Sequence, residues 1–185
     1  MTPALSTTAW MLHDLGLATG FGGSLYGRYA LHPAVRKIHD EQEKGEVVSK
    51  AWRIFSPVNL LSHLTFALTW LAGRSMITGR SIDRQTRRLV LAKDALVTAS
   101  VATGVGSIVT GYALSRSREN RPPPIESGGT PSIETPERSR RLMQGTRLLG
   151  GANLIAIAGV IGITAVLAMK AGKSHRWPLV ARLLP

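Results

Sequence analysis

The chain has 185 residues, 44% hydrophobic and 18% charged, with 23 Lys and Arg against 11 Asp and Glu, a net charge of +12, and no Cys. This length excludes a large multi-domain enzyme. The lack of Cys excludes disulfides, thiolate metal sites and cysteine nucleophiles.

Charge-free gaps set the expected elements. Residues 54–73, 95–115 and 148–169 are runs of 20, 21 and 22 residues without Asp, Glu, Lys or Arg. About 20 apolar residues cross the hydrocarbon core of a bilayer as a helix. The last two runs, ALVTASVATGVGSIVTGYAL and LLGGANLIAIAGVIGITAVLAM, show no polar stripe of the kind a soluble amphipathic helix carries. An earlier segment, about residues 8–30, is interrupted by His13 and Asp14 and ends at Arg28, whose long side chain can reach the interface. It lacks the basic leader of a cleavable signal peptide and is expected to be a retained span. The expected fold is therefore all-α: an integral membrane four-helix bundle with polar, partly disordered loops. It forms a single membrane domain over 1–185, with spans at about 8–30, 56–76, 94–115 and 148–169.

The flanks agree with this frame. Trp10 and Tyr29 bracket the first span, Trp52 and Trp70 the second, and Trp177 follows the fourth, the belt positions aromatic rings favour at headgroup level. Ser56 and Pro57 form a start signal for the second helix. Pro33 to Lys44 extends the first helix, with Gly45 as its stop. Residues 74–93 make a short Arg-rich turn, and 116–147 a flexible Pro-, Ser- and Arg-rich loop, with Pro122 to Pro124 as spacer or docking segment. No base precedes the first span, whereas Arg28, Arg36 and Lys37 follow it. That places both termini outside, against the opposing signal of the Arg-rich turn. Bases beside apolar spans point to anionic lipid headgroups as the partner surface. No nucleic-acid motif and no phosphate loop is present, since Gly20-Phe21-Gly22-Gly23 lacks the GK[ST] ending.

Small residues mark the expected helix contacts, because in lipid close backbone approach replaces the hydrophobic effect. They are Gly16, Gly20, Gly23 and Gly27 in the first span. In the third they are Ala99, Thr103, Ser107 and Gly111, with Ser100 and Gly104 alongside. The fourth has Ala152 and Ala156, then Ala158 and Gly162. Five intramembrane polar residues are the candidate functional groups: His13, Asp14, Asn59, His63 and Asn153. At a rise of about 1.5 Å per residue, His13 and Asp14 lie roughly 8–9 Å from the midplane on the N-terminal side. His63 lies about 3 Å from it, and Asn59 and Asn153 about 8–9 Å out on the opposite side. Two polar layers are expected. His13 and His63 differ in height by roughly 10 Å, which does not suit a bis-His haem. No metal-ligand spacing and no nucleophile–base pattern appears, so neither cofactor nor enzyme activity is expected.

The segment HDLGLATGFGGSLYGRYALHP, with His13, then Gly22 and Gly23, then Pro33, resembles the first span of small bacterial copper-resistance D-like proteins and related four-helix membrane proteins. The resemblance implies a common architecture over about one ninth of the chain. The Met- and His-rich copper ligands of such proteins are not evident, so copper handling is not implied. The favoured function is a non-catalytic structural or interaction subunit that packs through small-residue helix faces, as a homo-oligomer or within a larger membrane complex. The alternative is a small transporter or ion-conducting oligomer using Asp14 and His63.

Overall fold

A computed structural model describes residues 3–77, 83–116 and 121–174. Trp177 and His175 lie outside the described residues. In chain order the elements are α1 (Pro3–Tyr26), a π-helical turn (Gly27–Leu31), α2 (His32–Val35), α3 (Glu41–Ile77), α4 (Arg84–Ser115), the two-stranded hairpin β1 (Ile125–Ser127) and β2 (Thr130–Pro131), and α5 (Glu137–Ser174). The described residues are thus all-α apart from that hairpin. Three helices are long and apolar enough to cross a membrane: Glu41–Arg74, Arg84–Ser115 and Glu137–Lys170. α1, with its Asp14, His13 and four-glycine stripe, is not among them.

The helices run past the apolar stretches, which corrects several expected boundaries. α3 begins at Glu41, not at Ser56. Its cap is Asp40, whose carboxylate accepts the backbone N–H of Glu43 at 2.6 Å. Ser56 and Pro57 lie inside the helix, and the Ser56 hydroxyl donates to the Trp52 carbonyl at 2.7 Å. Gly45 is also interior to α3 and stops nothing. α4 begins about ten residues before Asp94, capped by Asp83, which accepts the N–H and hydroxyl of Thr86 at 2.6 and 3.0 Å. These bonds hold the Asp83 carboxyl below its ordinary range. Arg, Lys, Glu and the uncharged Gln are all good helix formers, so each helix continues into its polar flank. With 37 and 38 residues, α3 and α5 are roughly 55 Å long, against about 30 Å of hydrocarbon. The first helix widens into the π turn just before Pro33. Proline cannot donate a backbone hydrogen bond, and the His32 N–H turns instead to the Gly27 carbonyl.

The stretch 116–147, expected as a flexible loop, has defined structure over its described residues. The hairpin pairs Ile125 with Pro131 and Ser127 with Thr130, and α5 starts at Glu137. Pro122 to Pro124 are half-buried and lie against the start of α3. Gln42 donates to the Pro122 carbonyl at 3.0 Å, Lys44 to the Glu126 carbonyl at 3.1 Å, and Pro123 fills the space that a side chain at Gly45 would need. His32 seats the far end against Gly128, with its ring edge-on to Trp52. A polar, proline-rich segment is ordered here by backbone carbonyls that find donors on α3.

Four helices pack side by side, each antiparallel to its neighbours. Gly16 of α1 and Gly27 of the π-helical turn meet Phe66 and Trp52 of α3. His63 and Trp70 of α3 meet Gly104 and Asp94 of α4. Thr110 of α4 accepts from Thr146 of α5 at 2.9 Å. Arg28, at the end of α1, reaches the Arg147 carbonyl of α5. The apolar core is Leu17, Phe66, Trp70, Val90, Val97, Ile157 and Val160. Trp70, expected in an interfacial belt, is instead buried in this core, while Trp10 and Tyr29 are exposed.

Candidate functional site

The interior between the helices is polar at two heights. At the first, His13 of α1 is buried against α3 and α4. Its Nδ1 lies 2.9 Å from the Phe66 carbonyl and 3.2 Å from the Thr69 hydroxyl. Its Nε2 lies 2.9 Å from Lys93 Nζ. A carbonyl can only accept and an ammonium can only donate, so the proton sits on Nδ1 and Nε2 accepts from Lys93. Lys93 itself is fully buried, at 0% exposure. No carboxylate among the described residues lies within 4 Å of its ammonium. The face of Trp70 takes that role with its centroid 4.0 Å from Nζ, and Trp10 stands 5.8 Å away. Trp70 works on both sides: its indole N–H donates to Asp94 at 2.9 Å, and Asp94 pairs with Arg74 at 2.8 Å. One chain of contacts therefore runs from a half-exposed Arg74 to a dry ammonium.

At the second height, His63 repeats the device. Its Nδ1 donates to the Asn59 carbonyl at 2.7 Å, and its Nε2 accepts from the Asn153 amide at 2.9 Å. That amide also reaches the Ser100 carbonyl at 2.7 Å and the Thr103 hydroxyl at 3.2 Å. Asn153 of α5 thus ties α3 to α4. The side-chain oxygen of Asn59 is buried without a partner among the described residues. Beside it, Ser62 donates to the Gly16 carbonyl at 2.6 Å and joins α3 to α1.

Among the described residues no side-chain hydrogen bond joins the two heights. The Phe66 ring stands between the imidazoles, 6.3 Å from His13 and 5.3 Å from His63 by centroid, and is fully buried. Asp14 belongs to neither network. It is exposed on the outer side of α1 and makes no hydrogen bond among the described residues.

The small residues separate in the same way. Along α1 and into the π-helical turn, Gly16, Gly20, Gly23 and Gly27 form one stripe against α3. A Cβ at Gly20 would lie 2.6 Å from the Ser62 hydroxyl, one at Gly27 would lie 2.5 Å from Trp52, and one at Gly23 would overlap Phe55. On α4 the packed stripe is Val90, Lys93, Val97, Ser100 and Gly104. The series Ala99, Thr103, Ser107 and Gly111 lies one residue round the helix, with Ala99 exposed and open space at Gly111. One residue turns a helix by about 100°, enough to move a stripe from contact to edge.

Sequence reasoning placed Lys93 in the Arg-rich turn and missed it as an interior group. The signal was its register, three and seven residues before Leu96 and Ser100, on a core-facing row. Among the described residues no group of three or more His, Asp or Glu is placed to hold a metal ion. Both ring nitrogens of His13 and of His63 are already engaged. Comparison of the chain with family models, with curated proteins and with solved structures finds no match.

Proposed function

We propose that the chain is a multi-pass integral membrane protein, a four-helix bundle in lipid, acting as a non-catalytic structural or interaction subunit. The observation that carries this reading is an inverted polarity. Leu61, Val109 and Ile155 on the outer faces of three helices are 66%, 61% and 76% exposed, while His13, Lys93, His63, Ser100 and Asn153 are buried. In water such an exterior drives aggregation, whereas in lipid it costs nothing and interior hydrogen bonds hold the helices together. The bases at the helix ends then face anionic headgroups.

The polar interior supports a packing role more than a conducting one. Every buried imidazole nitrogen there bonds to another helix or to its own backbone, and Phe66 closes the gap between the layers. A flux role for Asp14 and His63 requires a path between an outer-face carboxylate and a sealed imidazole. Fractionation tests the membrane reading. The chain is expected to stay in the pellet after alkaline carbonate extraction and to leave it only in detergent. Release by carbonate alone contradicts the reading.

A further inference from the structure

The outer side of α1 carries a row that nothing among the described residues covers. Met11, Leu15, Ala18 and Gly22 are all exposed, opposite the glycine stripe that receives α3. Their spacing is four, three and four residues, the d-a-d-a rhythm of a left-handed helix pair. A side chain at Gly22 would meet nothing within 4 Å, so another helix can approach closely there. Beside the row stand Asp14 and Thr19, both exposed and without a hydrogen bond among the described residues. In heptad terms Asp14 is a g position and Thr19 the following e position. In a parallel pair, those two positions face each other across the interface. Two copies in one membrane share one topology, which makes their α1 helices parallel. A two-fold axis along the membrane normal then brings the Asp14 carboxylate of each copy to the Thr19 hydroxyl of the other.

We propose that α1 is a homodimer face, with a second copy of this chain covering Met11, Leu15, Ala18 and Gly22 and donating the Thr19 hydroxyl to Asp14. This rests on the membrane reading above. A second copy fits better than a basic helix from another protein. The face holds its own complement to the carboxylate, the exposed Thr19 hydroxyl five residues on. An ionisable group on the lipid-facing side of a span calls for such a contact.

The full chain contains no Cys, so single-cysteine variants in native membranes give a clean test. On oxidation, Leu15→Cys and Ala18→Cys are expected to become mainly disulfide-linked dimers. Leu61→Cys and Ala165→Cys, on exposed sides of α3 and α5, are expected to stay monomeric. Adding Thr19→Val or Gly22→Leu to Leu15→Cys is expected to lower the dimer yield severalfold. Cross-linking no greater at 15 and 18 than at 61 and 165 overturns the proposal, as does a linked product of any mass other than twice the chain. Carbonate extraction of the same membranes separates the two ideas. Variants that stay in the pellet without cross-linking refute only the dimer, while variants released by carbonate refute the membrane reading itself.

Discussion

Gly104 offers the sharpest perturbation of the polar interior. An added Cβ would stand 2.7, 3.0 and 3.1 Å from Nε2, Cδ2 and Cε1 of His63. Ordinary carbon contacts lie near 3.5–4.0 Å, so the imidazole must retreat by roughly 1 Å. It has nowhere to go. Nδ1 is held at 2.7 Å by the Asn59 carbonyl, and the Phe66 ring lies behind it. The atom that must move first is Nε2, the one Asn153 donates to. Overpacking of this kind costs about 1–3 kcal/mol. The lost interhelical hydrogen bond adds about 0.6 kcal/mol. Replacing Gly by Ala inside a helix returns about 1 kcal/mol. Gly104→Ala is therefore expected to destabilise the protein by about 0.5–2.5 kcal/mol. Gly111→Ala has open space around it and is expected to gain up to about 1 kcal/mol from helix propensity alone. Unfolding of both variants in mixed micelles by a denaturing detergent, followed by circular dichroism, measures the difference. Equal shifts, or a stabilised Gly104→Ala, refute the assignment of His63 to this contact.

Further expectations follow from the same contacts. His13→Leu leaves the Lys93 ammonium buried without its hydrogen-bond acceptor and is expected to cost about 3–5 kcal/mol. The His13→Leu/Lys93→Met double variant is expected to recover part of this in the same unfolding assay, and a double variant worse than His13→Leu contradicts the pairing. Asp40→Ala is expected to cost about 1 kcal/mol through the lost cap of α3, with Ser56→Ala close to neutral; the reverse order would restore Ser56 as the helix start. Burial, and secondarily the Arg28 charge, hold His32 below its ordinary value of 6.5. The unfolded imidazole then takes up a proton before the folded one, so stability is full above pH 6.5 and declines as the pH falls below it. Amide exchange over 125–131, corrected for its intrinsic pH dependence, is expected to speed up below that value in the parent and to lose this step in His32→Gln.

How much of this was legible depends on the residue. The charge-free runs gave the positions of the three apolar helices, because desolvating a charge is costly enough to leave a clear mark on sequence. Helix ends were harder to read. The Ser56-Pro57 pair has a start signature, yet Asp40 and Glu43 carry an equally good one, and only packing of the polar turn against the hairpin decides between them. Helix rise set His13 and Asp14 apart from Asn59, His63 and Asn153, since depth is one-dimensional; the hydrogen bonds group His63 with Asn59 and Asn153 and leave Asp14 outside both networks. Facing is rotational, and there the reading on α4 put Ala99, Thr103, Ser107 and Gly111 first with Ser100 and Gly104 beside them, whereas Ser100 and Gly104 are buried, Ala99 is exposed and Thr103 sits at the edge of the contact with Asn153. Lys93 and Trp70 escaped for a related reason. Each looks interfacial by type, and the cation–ring contact that keeps both inside joins residues from two helices.

Collision of polar and apolar relaxing agents with spin labels tests the central claim most directly. Labels are placed on single cysteines at Leu61, Val109, Ile155 and Ile133, with the protein in native lipid. The account predicts that molecular oxygen relaxes the first three efficiently while a water-soluble nickel chelate does not. Ile133, 96% exposed beyond the hairpin, should show the opposite preference. Ready access of the nickel chelate to labels at 61, 109 and 155 would mean that water, not lipid, surrounds these helices.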